Sequence, residues 1–152
     1  MIEVNVRSAR VEDIPVLMSF QQNLAWESEQ VKLDPALLEK GIIAMFDDPG
    51  RGFYSLAEVD NEVVGCFMLT REWSDWRNGW AYWLQSVYVK ESFRKHGVFR
   101  SMFQYLQQML NNDAEAVGLR LYVDKSNVRA QQVYAAMGMN GDHYTVFELM
   151  KS

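Results

Sequence analysis

The chain has 152 residues, one cysteine and a net charge of −5, with 49% apolar and 23% charged residues. That length fits a single domain with a core large enough to fold without disulfides or metals, and the acidic balance argues against nucleic acid as the main partner. No apolar run is long enough to span a bilayer, no signal peptide is evident at the start, and the lone Cys66 suits a reducing compartment, so the expected location is the cytoplasm.

Ile2–Val6 alternates apolar and polar residues and reads as a first strand. Ile14, Leu17, Met18, Leu24 and Ala25 then recur at helical spacing, with Pro15 in the first turn, where its missing N–H removes no helical bond. Asp34-Pro35 is an N-cap followed by proline at the first helical position; Leu38, Ile42 and Met45 line one face of the helix it opens. Phe53–Val59 and Val63–Thr70 are strand-like runs joined by Asp60-Asn61-Glu62, a hairpin signal. An aromatic-rich connection holding Trp73, Trp76 and Trp80 precedes a strand near Ala81–Val89.

Val98–Leu110 is an amphipathic helix with Phe99, Met102, Phe103, Leu106, Met109 and Leu110 on its apolar side. Leu119–Val123 reads as a short strand, Val128–Met137 as a helix and Tyr144–Met150 as a closing strand. No repeat or linker interrupts the order, which predicts one domain over residues 1–152. Its expected class is α/β: a central mixed sheet with helices on both faces. Ligands in such sheets favour the carboxyl ends of strands where neighbours part.

The strand ending at Val89 runs through Arg94-Lys95-His96-Gly97-Val98-Phe99-Arg100 into the amphipathic helix. The first turn of a helix leaves backbone N–H groups unpaired and carries partial positive charge. Glycine lets a pyrophosphate approach those donors, and the basic side chains add local charge to an acidic protein. A solvated basic turn capping an ordinary helix fits the same residues equally well. No Gly-Lys-Ser/Thr follows, so this is not a magnesium-nucleotide loop.

Taken together, Arg94 and Gly97 in this loop, and Asn127, Ala130, Tyr134, Gly138 and Met139 after Leu121-Tyr122-Val123, resemble the GNAT superfamily of acyl-CoA N-acyltransferases. That family's loop has the pattern Arg/Gln-x-x-Gly-x-Gly/Ala, and its later segment Asn-x-x-Ala-x-x-x-Tyr closed by Gly-Phe. Phe99 and Met139 depart from the two patterns. Arg7–Asp13, Asp60-Asn61 with Gly65, and Ser86-Val87-Tyr88-Val89 extend the likeness along nearly the whole chain.

The resemblance implies an enzyme that moves an acetyl group from acetyl-CoA, its co-substrate, to an amine by direct attack, working as a homodimer without a metal. It implies that the main chain of Val87, Tyr88 and Val89 pairs with the pantetheine arm. The backbone of Arg94, Lys95, His96, Gly97, Val98 and Phe99 would hold the pyrophosphate, with Asn127 near the cofactor arm. Tyr134 is the expected acid for the departing thiolate; packing beside Val133 and Met137 is its structural alternative. Glu27 is the candidate base, and Glu29 lies with it in the region that shapes the acceptor pocket, although both also fit a solvated loop. Alternation places Tyr82 and Leu84 on one sheet face and Trp83 and Gln85 on the other, the expected acceptor side. The dense tryptophans suit an amine-binding wall or a dimer face equally. A non-catalytic acyl-CoA-binding module on the same fold is the competing function, and acceptor identity stays open among small amines and protein amines.

Overall fold

The computed structural model describes residues 2–151, which fall into two units, one up to Arg120 and one from Leu121. The first unit is a five-stranded sheet in the order β1-β2-β3-β4-β5: Asn5–Ser8, Phe53–Val59, Glu62–Ser74, Gly79–Val89 and Ala116–Arg120. β1 to β4 are antiparallel neighbours and β4 pairs with β5 in parallel. α1 (Ile14–Glu29) and α2 (Pro35–Asp47) precede β2, and α3 (Val98–Asn112) connects β4 to β5.

Local chemistry explains the boundaries. The Asp34 carboxylate accepts the Ala36 N–H at 3.0 Å, starting α2 as its capping sequence predicts. Asp60 and Asn61 have φ of 50° and 66°, the left-handed pair of a type I′ turn, which matches the twist of the β2–β3 hairpin. β3 is longer than its apolar pattern implies. It continues to Ser74, and Trp73 pairs across to Trp80 with ring centroids 4.9 Å apart. The expected aromatic connection is thus mostly a ladder, because cross-strand aromatic pairing extends a hairpin past its apolar core.

The core has two layers on opposite sheet faces. Leu17 and Phe20 of α1 and Ile42 of α2 pack with Tyr54, Leu56, Cys66 and Tyr88. On the other face Val98, Met102, Phe103 and Leu106 are the buried stripe of α3, each contributing about 1.5–3 kcal/mol by burial. Arg7 fastens β1 to the start of α1: its guanidinium makes paired bonds of 2.8 and 2.9 Å to Asp13 and one of 2.5 Å to Glu58 on β2.

The second unit contains α4 (Val128–Ala136). Two expected strands differ from the structure. The ladder expected at Leu119–Val123 lies at Ala116–Arg120 in the first unit, three residues earlier, because pairing with β4 starts at Trp80 and Ala116. Tyr144–Met150 forms no ladder within the second unit taken by itself, since strand pattern without a partner backbone makes no hydrogen bonds of its own.

Candidate active site

β4 organises the site. Its ladder with β5 runs from Trp80 opposite Ala116 to Trp83 opposite Arg120 and ends there, whereas β4 continues to Val89. Within the first unit no strand pairs with the Leu84–Val89 edge on that side, and an edge of this kind can accept an added strand. On its other side β4 carries a β-bulge: Tyr88 opposes Cys66 but Gln85 opposes Met68, leaving Ser86 and Val87 together across from Phe67. Ser86 takes φ of 53°, and its carbonyl accepts from the Cys66 thiol at 3.5 Å.

The bulge reverses the alternation of side chains. Leu84 and Val87 both line an apolar pocket with Phe67, Phe99, Met102 and Phe103 on the α3 side. Gln85 therefore shares its face with Tyr88 rather than with Val87. Strict alternation carried past Gln85 would have reversed the sides of Val87 and Tyr88.

After β4 a single 3-10 turn, Glu91–Phe93, leads to Arg94 in extended backbone. Lys95 and Gly97 then take φ of 66° and 86°, and Gly97 caps α3. A Cβ at Gly97 would meet nothing within 4 Å, so conformation rather than crowding calls for glycine, and the space above the loop is open. The first-turn N–H groups of Val98, Phe99 and Arg100 have no intrahelical acceptor by the geometry of any helix start. Lys95, His96 and Arg100 are exposed around them. Phe99 packs on Phe103 at 5.9 Å and faces the apolar pocket, so a bulky residue fits here with its ring turned away from the loop.

Glu27, near the end of α1, reaches the same place. One carboxylate oxygen accepts from the Tyr88 hydroxyl at 2.7 Å, and the other from Arg94 Nη2 at 2.6 Å. Arg94 Nε donates to the Val89 carbonyl at 2.9 Å, and the guanidinium lies 5.4 Å from the Tyr88 ring centre. Burial works to raise the Glu27 pKa, but the Tyr88 and Arg94 hydrogen bonds outweigh it and hold the pKa below the usual range. Burial, helped by the Glu27 carboxylate, raises that of Tyr88. Glu29 is exposed and two residues further along α1, a spacing that turns it away from Glu27.

The expected acceptor residues sit on the face that Gln85 shares with Tyr88. Trp83 Nε1 donates to Glu72 at 3.3 Å, the same oxygen accepts from Arg120 at 2.7 Å, and Gln85 donates to Thr70 at 2.7 Å. Glu72 and Thr70 escape a reading of motifs; only the β3–β4 register, which sets Thr70 opposite Trp83, brings them in. Arg71, Trp73, Trp80 and Tyr82 form a separate group on the opposite face, with Arg71 4.5 Å from the Trp80 ring centre and Tyr82 bonded to Asp113 at 2.8 Å. The Cys66 thiol is buried and pushed up to about 12 by desolvation, which keeps it protonated and unsuited to nucleophilic attack.

In the second unit, the Asn127 side-chain oxygen accepts the Ala130 N–H at 3.1 Å and caps α4. The Asn-x-x-Ala spacing is thus a capping spacing. Gly138, with φ of 92°, ends the helix, and the Met139 N–H bonds the Tyr134 carbonyl at 3.1 Å. Tyr134 is half-buried, and desolvation raises its phenol pKa, so the proton is held at neutral pH. Among the described residues no cluster of metal-ligating side chains is found, and no helix is long and apolar enough to cross a membrane.

The fold is similar to that of a possible acetyltransferase from Clostridium difficile 630, at 38% identity and TM-score 0.92 over 100% of this chain and 99% of that one. It is also similar to glucosamine-6-phosphate N-acetyltransferase from Arabidopsis thaliana, at 13% identity and TM-score 0.73 over 98% and 99% of the two chains. An aminoglycoside acetyltransferase from an uncultured soil metagenomic sample, in complex with sisomicin, matches at 11% identity and TM-score 0.76 over 98% and 96%. No curated protein matches the sequence significantly. Together with the family match, the 38% identical neighbour over the whole chain makes this protein an acyltransferase. The chain belongs to the acetyltransferase (GNAT) family, whose model matches residues 18–139.

Proposed function

We propose that the protein transfers the acetyl group of acetyl-CoA directly to a primary amine, most readily that of a small cationic acceptor. The observation that carries this reading is the β4 edge left by β5 after Trp83, followed within a few residues by the Gly97-capped start of α3. An extended amide-bearing arm suits the first, and a pyrophosphate suits the second. The donor set fits the co-substrate: main-chain groups of Val87 to Val89, N–H groups at the start of α3, and basic side chains from Arg94 to Arg100.

Acetyl-CoA supplies an activated thioester. A neutral amine attacks its carbonyl carbon, a C–N bond forms and the C–S bond breaks. Tyr134 gives its phenolic proton to the departing sulfur, and the proton lost by the amine passes to solvent. On the acceptor side, Trp83 and Gln85 offer an aromatic face and an amide. We place the enzyme in the cytoplasm, where the single Cys66 remains a thiol, as one domain that pairs into a homodimer in keeping with its family.

A thiol-release assay over polyamines, amino acids, aminoglycosides and peptides bearing free amines tests the proposal. Release of CoA in step with acetylated product from at least one small amine is expected. Tight acetyl-CoA binding with no release beyond hydrolysis from any amine would contradict it.

A further inference from the structure

Glu27 has the position of an acceptor-site carboxylate but the bonding of a clamp. Both of its oxygens are taken, one by Tyr88 and one by Arg94. Arg94 is held in turn at two points, Glu27 and the Val89 carbonyl, with its guanidinium beside the Tyr88 ring. A guanidinium has five N–H donors in a rigid fork, so a group fixed by two of them keeps donors for a phosphate oxygen. Glu27, Tyr88 and Arg94 come from α1, the end of β4 and the phosphate loop, and they meet where the strand becomes the loop.

We propose that Glu27 is a positioning residue for donor binding, acting through Arg94: it fixes the guanidinium at the mouth of the phosphate loop and does not take the proton of the attacking amine. This rests on the assignment of acetyl-CoA as donor. Three features support it. A carboxylate engaged by a cation and a phenol is a weak proton acceptor, and its lowered pKa agrees. A free arginine at a loop must lose side-chain freedom when it binds phosphate, and a clamp formed beforehand lowers that cost. The carboxylate and the Val89 carbonyl also tie the end of α1 to the strand whose main chain is to receive the pantetheine arm.

The test is a set of three variants, E27Q, R94Q and the double variant, with acetyl-CoA affinity read by calorimetry and steady-state constants measured across pH. E27Q is expected to raise Kd and KM for acetyl-CoA roughly five- to tenfold, an effect of the size of preorganising one long side chain. Its kcat should stay within about twofold of wild type, and the pH profile of kcat should be unchanged. In the double variant, loss of affinity should match that of R94Q alone, because Glu27 acts through Arg94. Thermal melts of each variant separate a folding defect from a binding one.

A fall in E27Q kcat of about a hundredfold or more, with loss of an ionisation from the pH profile, would overturn the inference in favour of a proton-accepting role. Fully additive losses, or unchanged acetyl-CoA affinity in E27Q, would also overturn it. Failure of the wild-type protein to bind acetyl-CoA would instead overturn the donor assignment itself, which keeps the two claims separable.

Discussion

At the residue scale, Tyr134 and Asp13 are shifted in opposite directions. A phenol is protonated at neutral pH, and desolvation moves the Tyr134 pKa further up, so Tyr134 carries the proton that the proposed acid would give. Tyr134→Phe is expected to lower kcat by about 10²-fold or more with the acetyl-CoA KM little changed. Turnover equal to wild type with the preferred acceptor would remove Tyr134 from the chemistry. Asp13 is instead kept ionised, chiefly by its hydrogen bonds to Arg7, so its pKa is lowered. A lowered folded-state pKa means that the stabilisation is complete above the unfolded value of about 3.9 and disappears as pH falls through the folded value. Asp13→Asn should therefore cost stability at neutral pH, about 1–3 kcal/mol, and flatten the acid limb of a melting-temperature profile. An unchanged acid limb would show that the Arg7 network does not govern it.

Ser55 makes the converse point. It is wholly buried on β2, and its hydroxyl has no hydrogen-bond partner among the described residues. Ser55→Ala removes a desolvated polar atom without opening a large cavity, so it should leave stability unchanged or raise it by about 1 kcal/mol. A loss of more than that in denaturant unfolding would mean that the hydroxyl is satisfied in solution.

At the scale of elements, the loop and the bulge differ in how visible they are in sequence. Gly97 announces itself, because a glycine between a basic run and an apolar helix marks a left-handed entry. Gly97→Val would force a β-branched residue to φ of 86°, a cost of about 1–2 kcal/mol. The variant should lose acetyl-CoA affinity more than it loses stability, which calorimetry beside a melt would show; intact affinity would place the phosphate elsewhere. The capping chemistry of Asp34 was legible for the same reason, because it depends on a few adjacent residues, whereas Asn127, expected beside the cofactor arm, shows itself as a cap only in the structure.

The β4 bulge was not legible. Gln85-Ser86-Val87 contains no glycine, and the extra residue appears only through the register of β4 against β3. The same holds for the end of β3, where Trp73 and Trp80 read as a loop until they are seen paired. Local chemistry can be read from a stretch of chain. Register is a property of two strands at once.

At the scale of the molecule, the order of elements as far as α4 and the mixed sheet follow from periodicity, whereas the closing strand expected at Tyr144–Met150 forms no ladder within the second unit. The family follows from two motifs occurring in the right order. What escaped that reading is contact between distant positions. Glu27 lies 61 residues from Tyr88 and 67 from Arg94, and no spacing rule joins them. Glu27 was therefore legible as a carboxylate in the acceptor region but not as the partner of the loop arginine. Glu72 remained hidden until β3 and β4 were aligned, although its carboxylate joins Trp83 and Arg120.

The central claim is direct acetyl transfer from acetyl-CoA to an amine. It is tested most directly by incubating the protein with acetyl-CoA labelled in the acetyl carbonyl and a panel of small amines, then following the label by mass spectrometry. The account predicts that the label appears on the amine nitrogen of an acceptor, in proportion to CoA released, with none bound to the protein. Label lodged covalently on the protein, or remaining as acetyl-CoA with every amine, would contradict it.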